Sequence, residues 1–279
     1  MTTAHPDHHD GGREASARPT PKEVLVSILK RAVLPALVAF GVLVAIGKII
    51  MNVFDEIPAE DTLSRDVAGW RTASLNPISK TVSTINDTWF TIGGSVVVAL
   101  VILVLTRKWW LAILPVLAIS LEASVFVPVT KIVNRPRPEV ERLDPHAPPT
   151  SSFPSGHTAA SFALFWSIML LAQRIPNVLA RRIVQVVCFV FPFCVGFARL
   201  YRGMHHLSDV IIGALLGMLC AGISYAAIRA AGDLKYETAD PQVQPALDAF
   251  NADVKNLSPE ANALPAWKWA TAYYTALVT

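Results

Sequence analysis

Residues 88–106 read TWFTIGGSVVVALVILVLT, nineteen positions with no charge and no apolar–polar alternation. As a helix that stretch is about 28 Å long, close to the hydrocarbon thickness of a bilayer. Five further windows share its character: 32–54, 109–130, 158–173, 183–198 and 210–228. All six together hold two charges, Lys48 and Glu122. Lipid offers backbone amides and carbonyls no partners, so spanning segments are helices or strands of a closed barrel. The missing alternation argues against the barrel. The expected fold class is therefore all-α, a polytopic membrane protein built as a six-transmembrane-helix bundle.

Composition agrees. Of 279 residues 53% are hydrophobic and 16% charged, against about 25% charged in a soluble domain. The formal net charge of +3 is too diffuse to suggest a nucleic-acid partner. Cys188, Cys194 and Cys220 all fall inside apolar windows, where they read as small core hydrophobes and not as a disulfide framework. A soluble nucleotide-binding enzyme and a disulfide-stapled secreted domain are both disfavoured.

Residues 1–22, rich in His, Asp, Gly, Pro and Ser, are expected to form a disordered cytoplasmic tail. The first window begins too late and runs too long for a cleaved signal peptide, so it reads as an anchor. The membrane domain is expected over 23–231, followed by a cytoplasmic C-terminal tail, 232–279. Its last segment, 266–279, carries Trp267, Trp269, Tyr273 and Tyr274. It is too short for a seventh span and reads as a loosely ordered tail or an interfacial helix.

Lys22, Lys30 and Arg31 precede the first span, Arg107 and Lys108 join the second to the third, and Arg174, Arg181 and Arg182 join the fourth to the fifth. The positive-inside tendency then puts both termini in the cytoplasm. The expected setting is a bacterial-type plasma membrane. The connections 55–87, 131–157 and 199–209 face outward. Lys131, Arg135, Arg137, Arg142, Arg199 and Arg202 also sit on that outer side; they either snorkel to headgroups or bind an anion.

Three stretches on that face carry the chemistry. They are Lys131-Ile-Val-Asn-Arg-Pro-Arg-Pro138, Phe153-Pro-Ser-Gly-His-Thr158 and Ala198-Arg-Leu-Tyr-Arg-Gly-Met-His-His-Leu-Ser-Asp209. Arginine forks and a lysine point charge suit phosphoryl oxygens. Ser155 and Gly156 open a helix whose free amides can face an anion. His205 and Asp209, four apart on a helix, predict a hydrogen bond from one imidazole nitrogen to the carboxylate, leaving the other nitrogen to attack phosphorus. His206, three before Asp209, also satisfies the spacing. His157 is placed to protonate the leaving alkoxide. No carboxylate cluster is present to hold magnesium or calcium, so neither a metal nor another cofactor is expected.

With these residues in hand, the sequence resembles the type 2 phosphatidic acid phosphatase superfamily, integral membrane lipid phosphate phosphatases with the signature K-x6-RP, PSGH and SR-x5-H-x3-D. Pro154–His157 match the second element. Arg199, His205 and Asp209 match the third, with Ala198 in place of its serine, and the spacing selects His205 over His206. Arg137-Pro138 match the RP, while Lys131 lies six positions before Arg137, not seven, and Thr130 occupies the lysine position; Arg135 is the alternative cation.

The resemblance implies a metal-independent phosphatase acting through a phosphohistidine on His205. It implies Asp209 as the orienting carboxylate and His157 as the acid, with Arg137, Arg199, Ser155, Gly156 and Lys131 on the phosphoryl oxygens. The site is expected at the extracytoplasmic ends of helices 3–6. The partners implied are the bilayer and a lipid phosphate, either phosphatidate-type or a polyprenyl diphosphate such as the undecaprenyl carrier. A transporter or scaffold that kept a phosphate pocket is the non-enzymatic alternative; the oligomeric state is left open. Glu122, in mid-span, reads as a helix-packing residue, with a place on the substrate passage as the other reading.

Overall fold

The computed structural model describes residues 19–54, 57–144, 147 and 150–231, and every regular element among them is helical. The tail residues 1–18 and 232–279, including the aromatic segment 266–279, lie outside the described residues. The first helix, α1, runs Pro21–Asn52. It opens on a capping box in which the Thr20 hydroxyl accepts from the Glu23 amide and the Glu23 carboxylate accepts from the Thr20 amide. Two otherwise free donors are thereby satisfied, and the helix starts two residues before the expected domain boundary. A π-helical turn at Leu29–Val33 precedes Pro35, which has no amide to give and crowds the turn before it.

The 55–87 connection, expected to face outward, contains two short helices, α2 (Pro58–Gly69) and α3 (Leu75–Thr84). The remaining helices are α4 (Thr88–Thr106), α5 (Trp109–Val133), α6 (Gly156–Ala172), α7 (Val178–Tyr201) and α8 (Leu207–Ala231). Helices α1, α4, α5, α7 and α8 are long and apolar enough to cross a membrane. The remaining expected span, the fourth in chain order, is α6, which has 17 residues, about 26 Å. It packs against α5, α7 and α8 and buries Thr158, Ala159, Ser161, Phe162 and Ala163. An inner helix surrounded by others has less need to reach both interfaces. The protein is an integral membrane helical bundle, with Val97, Val101 and Val104 of α4 and Val186, Val187 and Val190 of α7 exposed on its flanks, as a lipid-facing surface requires.

Lipid tails are as apolar as leucine, so close packing holds such bundles together. Leu121, Val125 and Val129 of α5 pack with Leu43 of α1, Ala159 of α6 and Leu216 of α8. The closest approach is between α6 and α8. A Cβ on Gly213 would stand 2.5 Å from the Ser155 carbonyl oxygen, and one on Gly217 would stand 2.2 Å from that of Ala159. These two glycines, four apart, let α8 lie directly on the turn that begins α6.

The site end is assembled from helix termini. α5 stops at Asn134, whose left-handed φ of 52° caps it. The chain then returns to α6 through a loop tied down by backbone bonds from Ser152 to Arg135 (2.9 Å) and from Leu143 to Arg202 (3.0 Å). The starts of α4, α6 and α8 and the ends of α5 and α7 thus share one face.

Candidate active site

A cavity of about 380 Å³ opens among α4, α5, α6 and the α7–α8 turn. Its outer wall carries Arg137, Arg199, His157, His205, Gly156 and Thr130, and its deeper wall carries Ile119, Phe126, Thr91 and Glu122. The first two histidines and two arginines named by the motifs therefore meet at one surface. His206 does not line it, which separates the two histidines that spacing left open.

His205 is buried, and its Nδ1 lies 2.7 Å from the Ser152 carbonyl oxygen. A carbonyl only accepts, so Nδ1 carries the proton and Nε2 of the neutral ring is left with a lone pair. Burial, and then the charges of Arg199 and Arg137, push the His205 pKa well below the ordinary imidazole value. The neutral form is the resting form.

Asp209 reaches His205 differently from the expectation. Its Oδ2 is 3.9 Å from His205 Nδ1, too far for a hydrogen bond. The carboxylate instead accepts from Ser152 Oγ (2.5 Å) and the His206 amide (2.8 Å) through Oδ2, and from Arg135 Nη1 (2.7 Å) through Oδ1. It therefore pins the strand of chain whose carbonyl holds His205. Arg135 is fully occupied in this role: Nη1 also donates to Ser208 Oγ, and Nη2 donates to Glu60 Oε2 at 2.9 Å. Glu60, from α2, additionally accepts from the Ser208 amide that starts α8. Burial acts to raise the Glu60 pKa, but the Arg135 and Ser208 hydrogen bonds outweigh it and hold the carboxyl below its usual range. Removing one member of such a buried network costs about 3–5 kcal/mol.

His157 Nε2 pairs with Asp87 Oδ1 at 2.8 Å, so the acidic partner of the second histidine comes from the start of α4. Arg199, buried, donates to Ser83 Oγ of α3 and lies 3.4 Å from Asp144 Oδ2; its Nε has no partner among the described residues. Asp144 is bound chiefly by Arg202, through Nε at 2.9 Å and through Nη2. Burial would raise the Asp144 carboxyl, yet the hydrogen bond and charge of Arg202 keep it low. Arg137 donates to the Met204 carbonyl. Burial and the neighbouring Arg142 lower its pKa.

Three of the expected site residues are not on the cavity wall: Asp209, which acts through Ser152 as above, Lys131 and Ser155. Lys131 is exposed on the outer turn of α5, while Thr130, the residue at the signature's lysine position, lines the cavity. A one-residue offset on a helix turns a side chain by about 100°, and α5 stays helical through Val133. Ser155 is fully buried, with its hydroxyl 2.9 Å from Thr158 Oγ1 and its amide donating to the Asp209 carbonyl. Gly156 lies on the wall, where a Cβ would stand 2.6 Å from the Phe126 ring. Glu122, preferred above as a packing residue, lines the cavity instead.

Residues 109–233, which hold all of these helix ends except α4 and its outer connection, match the PAP2 superfamily. The part of the chain that carries the motifs is therefore similar to that superfamily. Over 80 residues it is 38% identical to a probable lipid phosphate phosphatase 4 of Arabidopsis thaliana, covering 26% of each chain. Over 115 residues it is 28% identical to phosphatidylglycerophosphatase B of Bacillus subtilis, 40% of this chain and 56% of that one. The matched stretches span from about a quarter to just over half of these curated relatives. The crystal structure of a transmembrane PAP2-type phosphatidylglycerolphosphate phosphatase from Bacillus subtilis superposes with a TM-score of 0.58 at 22% identity, over 68% of this chain and 92% of that one. That likeness supports the PAP2 fold.

Asp87, Glu60, Ser83 and Asp144 lie outside the motifs, and three of them lie before residue 109. Asp87 had a sequence signal: an Asp immediately before an uncharged run is a helix-start residue. As the N-cap it makes no side-chain capping bond, since its carboxylate serves His157. Glu60, on a short helix far back in the chain, left no such mark.

Proposed function

We propose that this protein hydrolyses the phosphate or diphosphate of a membrane lipid through a phosphohistidine on His205, without a metal ion. The observation that carries this reading is His205 itself, a neutral imidazole with Nδ1 fixed by the Ser152 carbonyl, beside Arg137, Arg199 and His157 on one cavity wall. The mainly apolar deeper wall accommodates a chain while the arginines hold phosphoryl oxygens. Lys131 and Ser155 take no direct part in that binding; Gly156 contributes backbone at the wall.

In the first step Nε2 of His205 bonds to phosphorus as the bond from phosphorus to the lipid oxygen breaks. His157 gives its proton to that oxygen, and the lipid alcohol, or the lipid monophosphate from a diphosphate, leaves. In the second step water loses a proton to His157 and attacks phosphorus. The phosphorus–nitrogen bond breaks, its electron pair returns to Nε2, and inorganic phosphate departs. Asp87 holds His157 by Nε2, leaving Nδ1 for the transfer. Of the carboxylates around the outer wall, Asp144 is matched by Arg202, Asp209 by Arg135 and Asp87 by His157.

Purified protein is expected to release phosphate from phosphatidate in excess chelator at the same rate as without it. His205→Ala is expected to reduce kcat about a thousandfold. A strict magnesium requirement, or full turnover by His205→Ala, would contradict the mechanism.

A further inference from the structure

The cavity is polar at two depths. At the outer wall, Thr130 Oγ1 donates to the Ser151 carbonyl, and Asn86 Nδ2 donates to that of Val82. Deeper, among Ile92, Ile119, Ala123, Phe126, Val127 and Ala160, two polar residues line the wall, Thr91 of α4 and Glu122 of α5. Both are more than nine-tenths buried. Thr91 Oγ1 and Glu122 Oε1 have no hydrogen-bond partner among the described residues. They come from neighbouring helices, and each unpaired group costs about 1–3 kcal/mol if nothing binds it.

Depth along the helices follows from their rise. Thr91 lies four residues, about 6 Å, inward from Asp87, which holds His157; Glu122 lies eight residues, about 12 Å, inward from Thr130. A lipid whose phosphate occupies the outer wall places there the part of the molecule that joins phosphate to chain. In a glycerolipid phosphate that part carries ester carbonyls or a hydroxyl. In an alkyl or prenyl phosphate it is hydrocarbon.

We infer that Thr91 and Glu122 form a second recognition station, which hydrogen-bonds an ester or hydroxyl group of the substrate below its phosphate. This rests on the lipid phosphatase reading above. Thr91 can donate to a carbonyl, and the Glu122 carboxyl can accept from a hydroxyl. A site with such groups rejects the analogue lacking them, because its buried polar atoms then stay unpaired. The station selects glycerolipid-type phosphates over phosphates whose chain begins directly at the phosphate ester.

The test compares kcat/KM for phosphatidate and for octadecyl phosphate, a lipid monophosphate without ester or hydroxyl, in the same mixed micelles. The wild-type protein is expected to favour phosphatidate by about tenfold or more. Thr91→Val and Glu122→Leu are each expected to lower that ratio several-fold, chiefly through loss on phosphatidate, whereas Glu122→Gln, which still hydrogen-bonds, is expected to preserve it. An unchanged ratio in both Thr91→Val and Glu122→Leu, or an equal loss on the two substrates, overturns the station while leaving the phosphatase reading intact. Absence of phosphate release by the wild-type protein from both of these lipids overturns the station, and absence of release from a prenyl diphosphate as well overturns the phosphatase reading.

Discussion

His157 and His205 are held by different kinds of partner, and the difference sorts their tasks. A backbone carbonyl fixes the His205 tautomer without adding charge, which suits a neutral nucleophile. A carboxylate on His157 suits a ring that cycles through its cation. Because burial and two arginines lower the His205 pKa, its neutral form persists as pH falls below the ordinary value of about 6.5. Nucleophilic activity is lost only when protons finally bind, so the acid limb of kcat/KM is expected below pH 6.5. Asp87→Asn is expected to lower kcat about a hundredfold and to leave that limb in place. A limb that moves with Asp87→Asn would assign it to His157. The Arg199, His205, Asp209 spacing pointed to this corner, but His205 precedes α8 and its Nδ1 pairs with the Ser152 carbonyl and not with Asp209. The intervening Ser152 was invisible, because a loop 53 residues away leaves no local pattern.

At the scale of elements, the apolar windows predict where α1, α4, α5, α7 and α8 run because charge exclusion over about 20 residues is a global constraint of the bilayer. They predict α6 less well, since a helix enclosed by protein obeys packing rather than thickness. They are silent on α2 and α3, whose 12 and 10 residues are amphipathic and gain stability from the site: Glu60 clasps Arg135, and Ser83 holds Arg199. The α6–α8 contact is the element that converts packing into catalysis. Gly213→Ala puts a Cβ 2.5 Å from the Ser155 carbonyl, a backbone atom that yields only if the α6 start shifts. Expected consequences are a loss of about 1–3 kcal/mol of stability and a fall in kcat of at least tenfold, because small misplacements of His157 are costly. Gly222→Ala, where a Cβ meets nothing, is the control and is expected to retain activity and melting temperature.

For the whole molecule, the distribution of cations bears on the orientation proposed for the bundle. A plain count of Lys and Arg is ambiguous, because both ends are rich in them. The structure removes part of the site-end set from the count, although Arg65, Lys80 and Lys131 are exposed at that end. At the site end Arg135, Arg199 and Arg202 are buried and matched to Glu60, Asp209 and Asp144. Their charge is spent inside the fold and in an anion site, so they carry little weight as surface signals. At the other end Arg107 and Arg182 are exposed, as residues that interact with an anionic cytoplasmic leaflet should be. The proposed orientation therefore has the site outside and the α4–α5 and α6–α7 connections inside. Cys194 is exposed and is first replaced by alanine. In that background Glu141→Cys, whose parent side chain is 84% exposed near the site, is expected to react with an impermeant maleimide on intact cells. Arg182→Cys is expected to react only after permeabilisation. The reverse pattern would put the phosphatase site in the cytoplasm and would require its lipid headgroup to be presented from the inner leaflet.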